Sequence, residues 1–269
     1  MFRGVYVAAS VPDSPELRAR ALALVIPRGV IACDRSASWL HGIDVHTWAE
    51  QDLLPPVEAC VLRGDDPTER PEVRSRTRDL APHDIVTVDG LQVTSPLRTA
   101  LDLGCHLFRA DALAALDQFR GHFGFSVAEL ELEARRFRRR RGVIQLRELI
   151  PLSDPLAESV RESWTRLALI DAGLPAPELQ WWVEVDGVPT YRLDMAYPGH
   201  RVAVEYDGSA FHSSDADRER DRARREHLTA LGWTVIVVRS GDFVGQRLRD
   251  WITQVRKALA DHRTNLRWE

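Results

Sequence analysis

The chain has 269 residues, 44% of them hydrophobic and 28% charged, and a net charge of −4. That length holds two domains of ordinary size, each with its own core. The charge excludes a uniformly basic nucleic-acid binder, so any DNA contact must come from local patches. Cys33, Cys60 and Cys105 are widely spaced and give neither a zinc pattern nor a disulfide framework. Without an apolar leader or a membrane-length run, the chain is expected to be a reduced, cytoplasmic protein with no membrane partner. Lys257 is the only lysine, so nearly all positive charge is arginine.

The first half reads as an α+β domain. A strand is expected over Gly4–Ala9 and a helix over Glu16–Val25. Asp34 is placed to cap a helix running to His41, with Gly42 as its stop. Val57–Leu62 alternates as a strand does. Asp89-Gly90 between Ile85–Val88 and Leu91–Thr94 is a two-residue hairpin signal. Ser95-Pro96 starts a helix over Leu97–Leu107, and another is expected over Asp111–Phe119. His41, His46, His83 and His106 are scattered, and no cluster of chemistry-bearing residues is expected in this half.

The pieces RGVYVAA, RSASWLHGI, VDGLQVTSPLRTALDLG and DALAALDQF make residues 1–120 resemble actinobacterial proteins similar to AbiEi-type antitoxins. The resemblance implies a protein partner for this domain. It also implies a winged-helix segment ahead of the GVY strand, which the chain is expected to lack.

Residues 121–152 read as an Arg-rich helical linker. A helix over Glu129–Arg141 ends in RRFRRRRG, six arginines in seven positions including Arg138, Arg139, Arg140 and Arg141. Crowded guanidinium groups repel unless an anion lies near, and a phosphate backbone would serve. Equally, cations at a helix C-terminus complement its dipole.

The second domain is expected over 153–269 in the order α-β-β-β-α-β-α. Leu156–Ala172 is an amphipathic helix that carries Glu158, Glu162 and Arg166 on one stripe. Strands follow over Gln180–Val185, Val188–Tyr197 and Val202–Asp207, with turns at Asp186-Gly187 and Pro198-Gly199. Ser214 and Asp217 begin a long helix to Leu231. The apolar run Trp233–Val238 fits a strand covered on both faces and parallel to the third. Asp242–Ala260 closes the domain as a helix. Trp181, Trp182 and Trp233 are read as core.

The Pro198-Gly199 turn folds two runs into a hairpin that brings Asp194 near Glu205, while period two puts Asp207 on the Glu205 face. So many carboxylates are costly unless paired, and a hard divalent cation such as Mg²⁺ or Mn²⁺ would relieve them. An ordinary solvated hairpin with surface acids has the same pattern.

RESWTRLALIDAGLPAPELQ, RLDMAYPGHRVAVEYDG, His212, DRARREHLTALGW and Arg239 resemble the PD-(D/E)XK nuclease superfamily, and more closely its Vsr-like endonuclease domains. The resemblance implies an α/β, restriction-endonuclease-like core with a mixed sheet, acting as a metal-dependent DNA endonuclease or nickase. It implies Asp194 and Glu205 as metal ligands, with Glu162 holding the metal through water. Asp207 stands where the superfamily pattern has lysine, so it would either bind a second metal or leave the cation to His212 or Arg224. His212 is also a candidate general acid or base. Glu162 has a rival role as a salt-bridge partner of Arg166 or Arg224. Arg222 and Arg225 would grip DNA phosphates, or Arg225 would pair with Asp221 at i, i+4. Two other readings stay open: a non-catalytic DNA-binding regulator of toxin–antitoxin type, and a protein-interaction adaptor.

Overall fold

The computed structural model describes residues 5–12, 15–27, 29–43, 45, 57–70, 73–208 and 215–265. The chain divides into two units, Met1–Pro155 and Leu156–Glu269. Among the described residues no helix is long and apolar enough to cross a membrane. The three cysteines are free and buried.

The first unit carries a five-stranded sheet in the order β3-β2-β1-β5-β4. Its strands are β1 Ile31–Ala32, β2 Val57–Leu62, β3 Val73–Arg78, β4 Ile85–Val88 and β5 Leu91–Thr94. Asp89 and Gly90 both take positive φ, 47° and 80°, which is what a type I′ hairpin needs. Helices α1 (Pro15–Val25) and α2 (Asp34–Leu40) come from the N-terminal part. Residues 5–8, expected within a strand, have no regular structure, and Gly4 and His46 lie outside the described residues. Asp34 does not cap α2. Cys33 holds that position, and the Asp34 carboxylate turns into the protein to meet Arg78.

Four helices follow: α3 (Pro96–His106), α4 (Arg109–Phe123), α5 (Val127–Ala134) and α6 (Val143–Leu149). Ser95 caps α3 by accepting from the Arg98 N–H, and Ser126 and Glu129 form a reciprocal capping box on α5. Leu113, Leu116, Phe119, Leu130, Leu146 and Leu149 are all fully buried among these helices. The stretch 121–152, expected as a linker, therefore lies within the first unit. Its helix stops at Ala134 instead of reaching Arg141. Phe137 is drawn into the interior, Arg139 adopts φ 61°, and Gly142 sits so close that a Cβ there would lie 1.9 Å from the Cys105 carbonyl oxygen. The arginines fan out from this turn and do not line one helix face.

The second unit is a four-stranded mixed sheet in the order β6-β7-β8-β9. It comprises α7 (Val160–Asp171), β6 (Glu178–Val185), β7 (Val188–Tyr197), β8 (Val202–Asp207), α8 (Asp215–Ala230), β9 (Thr234–Arg239) and α9 (Gly245–Asn265). This is the expected α-β-β-β-α-β-α order, and the architecture is α/β. β8 and β9 run parallel from Val202↔Thr234 to Asp207↔Arg239, as a helical crossover between strands allows. Met195, Tyr197, Val204 and Val238 pack with Leu169 of α7 and Trp251, Val255 and Leu259 of α9. Ala196 and Ala203 pack with Leu228 of α8 and Trp233. Helices thus cover both faces, which explains the apolar run in β9.

Helix α7 starts four residues later than expected because the Ser159 hydroxyl caps it, accepting from the Glu162 N–H at 3.2 Å. Glu158 is therefore off the helix stripe and makes a bidentate pair with Arg192 at 2.8 Å. Trp233 is core, but Trp182 on the sheet-edge strand β6 is half exposed.

Candidate active site

β7 and β8 are joined by Pro198-Gly199 and pair antiparallel at Met195↔Val204, Ala196↔Ala203 and Tyr197↔Val202. One step further along that register, Asp194 stands opposite Glu205, and directly opposed residues share a face. Asp194 Oδ2 accepts the Tyr206 N–H at 3.2 Å, which pins the carboxylate at the strand junction. Glu162 comes from the first turn of α7 and is 8% exposed. Its Oε2 accepts from the Gln180 side-chain amide at 3.0 Å and the Glu158 N–H at 3.1 Å. Among the described residues no salt bridge joins Glu162 to Arg166 or Arg224, the rival role anticipated for it, and Arg224 pairs with Glu205 instead.

Glu205, also 8% exposed, is gripped by Arg224 from α8. The guanidinium donates to both carboxylate oxygens, at 2.7 and 3.0 Å, and to the Arg192 carbonyl at 2.8 Å. Burial raises the Asp194 carboxyl first, Glu162 and Glu205 add to it, and it reaches about 6. Burial likewise pushes the Glu162 carboxyl up, partly offset by the Glu158 N–H and Ser159.

Around this point Glu158, Glu162, Asp194 and Glu205 face two guanidiniums, those of Arg192 and Arg224. These four carboxylates outnumber these two guanidiniums by two among the described residues. Among the described residues neither Glu162 nor Asp194 forms an ion pair. Gln180 adopts φ 52°, and its buried Oε1 has no hydrogen-bond partner among the described residues. An all-oxygen donor set with surplus negative charge suits a hard divalent cation. The donor atoms are not drawn into a tight cage. Among the described residues, His83, Asp84 and Glu133 are the group whose donor atoms all lie within 4.8 Å of one another. Arg136 already donates to all three, at 2.6–3.0 Å, and so takes the place a cation would fill.

The other expected residues lie as follows. Asp207 is flanked by Arg225 at 3.7 Å and Arg239 at 3.8 Å, so two guanidiniums meet it where the sequence offered a second metal as one option. Arg225 therefore reaches Asp207. Arg222 bridges Glu219 and Glu226 along the exposed face of α8. His212 and Ser214 lie outside the described residues, as does the side chain of Asp217. Arg138, Arg139 and Arg141 are exposed, whereas Arg140 is half-buried against the Phe137 ring at 4.5 Å.

The first unit holds a charge network that sequence reasoning missed. Asp102, 1% exposed, accepts from Arg78 at 2.6 Å and Arg98 at 2.8 Å. Arg78 also donates to Asp34, and Arg98 to Asp84 at 2.9 Å. Burial alone would raise the Asp34 carboxyl, but His106 and Arg78 outweigh it and hold it far below the usual range. One signal was present: Arg98 and Asp102 stand at i, i+4 inside the otherwise apolar α3, where charges have no reason to sit unless paired.

These features define a protein with an α+β unit followed by a restriction-endonuclease-like α/β unit. Residues 30–152 match the AbiEi antitoxin C-terminal domain family, and residues 179–259 match the restriction-endonuclease-like REase_MTES_1575 family. The chain is 34% identical over 237 residues to "Uncharacterized protein Rv2248" of Mycobacterium tuberculosis strain H37Rv, spanning 87% of this chain and 83% of that protein. The same identity and coverage hold for "Uncharacterized protein MT2308" of strain CDC 1551. The chain belongs to the family of these mycobacterial proteins. No solved structure matches it.

Proposed function

We propose that the second unit is a metal-dependent DNA endonuclease or nickase of Vsr-like, PD-(D/E)XK type, and that the first unit is its recognition or regulatory module. One observation carries this reading: Glu162 and Glu205 lie near enough to Asp194 to add to the burial that raises it to about 6, and among the described residues Arg224 on Glu205 is the one ion pair these three carboxylates make. Asp194 and Glu205 would hold Mg²⁺ or Mn²⁺, with Glu162 joining through water. Such an ion, when bound, supplies Lewis acidity at a phosphodiester oxygen and lowers the pKa of water.

The chain's own residues divide the remaining tasks. Tyr206 N–H orients Asp194, and Gln180 and the Glu158 N–H orient Glu162. Both bonds to Glu162 fall on Oε2, so Oε1 is the atom able to take a proton. Arginine stays protonated at any working pH, so Arg224 can steady charge but cannot act as a base. Arg225 and Arg239 beside Asp207 offer contacts to a phosphate backbone.

A second reading is favoured by a specific contact. Arg224 occupies both oxygens of Glu205, and Lys257 is the only lysine, so a non-catalytic DNA-binding regulator on a nuclease fold also accounts for the geometry. The two separate on supercoiled DNA incubated with Mg²⁺ or Mn²⁺. Nicking by the wild type that disappears in Glu205→Ala supports catalysis. No nicking, or equal nicking by both, removes it; steeply salt-dependent, metal-indifferent DNA binding then establishes the regulator.

A further inference from the structure

The first unit contains two adjoining hollows, of about 510 and 260 Å³, that share Arg63, Arg78, Asp79, Phe137 and Arg140 as walls. Such volumes lie at or just below the usual range for small-molecule pockets. Arg98 and Arg136 complete the larger hollow, and Arg76 and Arg141 the smaller. Seven arginines therefore converge from the turn after β2, from β3 and α3, and from the turn after α5. Asp34, Asp79, Asp84, Asp102 and Glu133 are the carboxylates paired with them. Among the described residues two positive charges remain in excess.

The excess shows on individual groups. Arg98 is 2% exposed; its Nε is engaged by Asp102 and its Nη1 by Asp84 and the Asp79 carbonyl. Its buried Nη2 has no partner among the described residues. A buried guanidinium N–H without an acceptor is costly, and here it belongs to a side chain that lines an open hollow. Arg140 has only a long 3.4 Å contact to Asp102 and a 3.1 Å bond to the Asp79 carbonyl. Burial, then repulsion from Arg98 and Arg78, holds its guanidinium below the ordinary range. Arg98 and Arg140 both rest on the Phe137 ring, at 5.0 and 4.5 Å, which fixes the two forks relative to each other.

We infer that this hollow is a binding site for the dianionic phosphate of a phosphomonoester, with Arg140 as the principal donor, Arg98 buried behind it as an unneutralised charge, and Arg141 at the rim. Two excess charges match a monoester dianion better than the single charge of an internal phosphodiester. Paired guanidinium forks match its oxygens in number and plane. The inference does not rest on the nuclease reading, since every residue involved belongs to the first unit. The phosphate can come from a free nucleotide or from the 5′ end of a nucleic-acid strand.

Calorimetry on the full chain at fixed ionic strength tests it, with adenosine 5′-monophosphate, adenosine and inorganic phosphate as probes. The monophosphate and inorganic phosphate are expected to bind, and adenosine not to. Arg140→Gln should weaken the monophosphate by at least about tenfold, and Arg141→Gln by a few-fold, while exposed Arg249→Gln leaves it unchanged. Thermal unfolding verifies that each variant is folded, and Arg141→Gln carries the test if Arg140→Gln is not. A short oligonucleotide with and without a 5′-phosphate assigns the source: a gain from the phosphate points to strand ends, and its absence alongside monophosphate binding points to a free nucleotide. Equal binding of adenosine and its monophosphate, no binding of any phosphate, or unchanged affinity in both arginine variants overturns the inference.

Discussion

Arg224 holds Glu205 through both carboxylate oxygens, at 2.7 and 3.0 Å, and ties α8 to β7 through the Arg192 carbonyl. The guanidinium and a metal ion compete for the same oxygens. Replacing Arg224 by Ala leaves Glu205 beside Asp194 with no counter-charge. Folding stability without metal should fall by about 1–3 kcal/mol, less than for a fully buried pair because Arg224 is partly solvated. Mg²⁺ should then bind several-fold more tightly and restore much of the loss. Thermal unfolding with and without Mg²⁺ reads both effects; a loss of stability that metal does not repair would make Arg224 purely structural.

Asp194 gives a pH signature. Its carboxyl lies near 6 in the folded chain against 3.8 in the unfolded chain. Between those values the folded state binds the extra proton, so stability falls as pH rises through this window and the cost is complete above it. Asp194→Asn removes that cost. The variant should be more stable than wild type at pH 7.5 by on the order of 1–2 kcal/mol after allowance for partial exposure, and the gain should fade below about pH 4. Urea unfolding across pH measures it, and a gain independent of pH would contradict the assignment.

Asp102 anchors Arg78, Arg98 and Arg140 in the first unit. Removing one member of a buried ionic group strands the others, so Asp102→Asn should cost about 3–5 kcal/mol. The loss should appear in the unfolding of the first unit. A cost below about 1 kcal/mol would mean that solvent already screens the network.

Gly142 takes φ 80° against the Cys105 carbonyl, where an added Cβ would lie 1.9 Å from the oxygen. Gly142→Ala should therefore destabilise by about 2 kcal/mol or more, because backbone must move. Gly199 has open space at its Cβ position and no positive φ, so Gly199→Ala serves as a near-neutral control. Comparable melting temperatures for the two variants would contradict this account of the turn.

Much of the second unit was legible because its signals are local. Pro198-Gly199 between two apolar runs specifies the β7–β8 hairpin, and its register then sets Asp194 against Glu205. Asp89-Gly90 specified β4–β5 in the same way. β3 was not legible: VRSRTR buries only Val73 and Arg78, and alternating arginines give no apolar period. The start of α7 was misplaced because Leu156 and Ala157 extend the apolar pattern past the Ser159 cap. Arg140 read as part of a surface patch, since nothing in RRFRRRRG says that Phe137 turns inward and takes Arg140 with it. Apart from the i, i+4 pair Arg98–Asp102, the Asp34–Arg78–Asp102–Arg98–Asp84 network and the Arg224–Glu205 pair join residues far apart in sequence, where periodicity is silent. Trp182 failed for another reason, as β6 is a sheet edge and leaves that side chain in solvent.

Metal binding tests the central claim most directly, because it asks whether the surplus charge of Glu162, Asp194 and Glu205 serves a cation. Titration calorimetry of Mn²⁺ and Mg²⁺ into the full chain at pH 7.5 should show a site that Asp194→Asn abolishes and Glu205→Gln weakens by at least about tenfold. Binding should also fade as pH drops below about 6, where Asp194 takes up a proton. No ion bound by the wild type, or binding that Asp194→Asn leaves intact, would contradict the account.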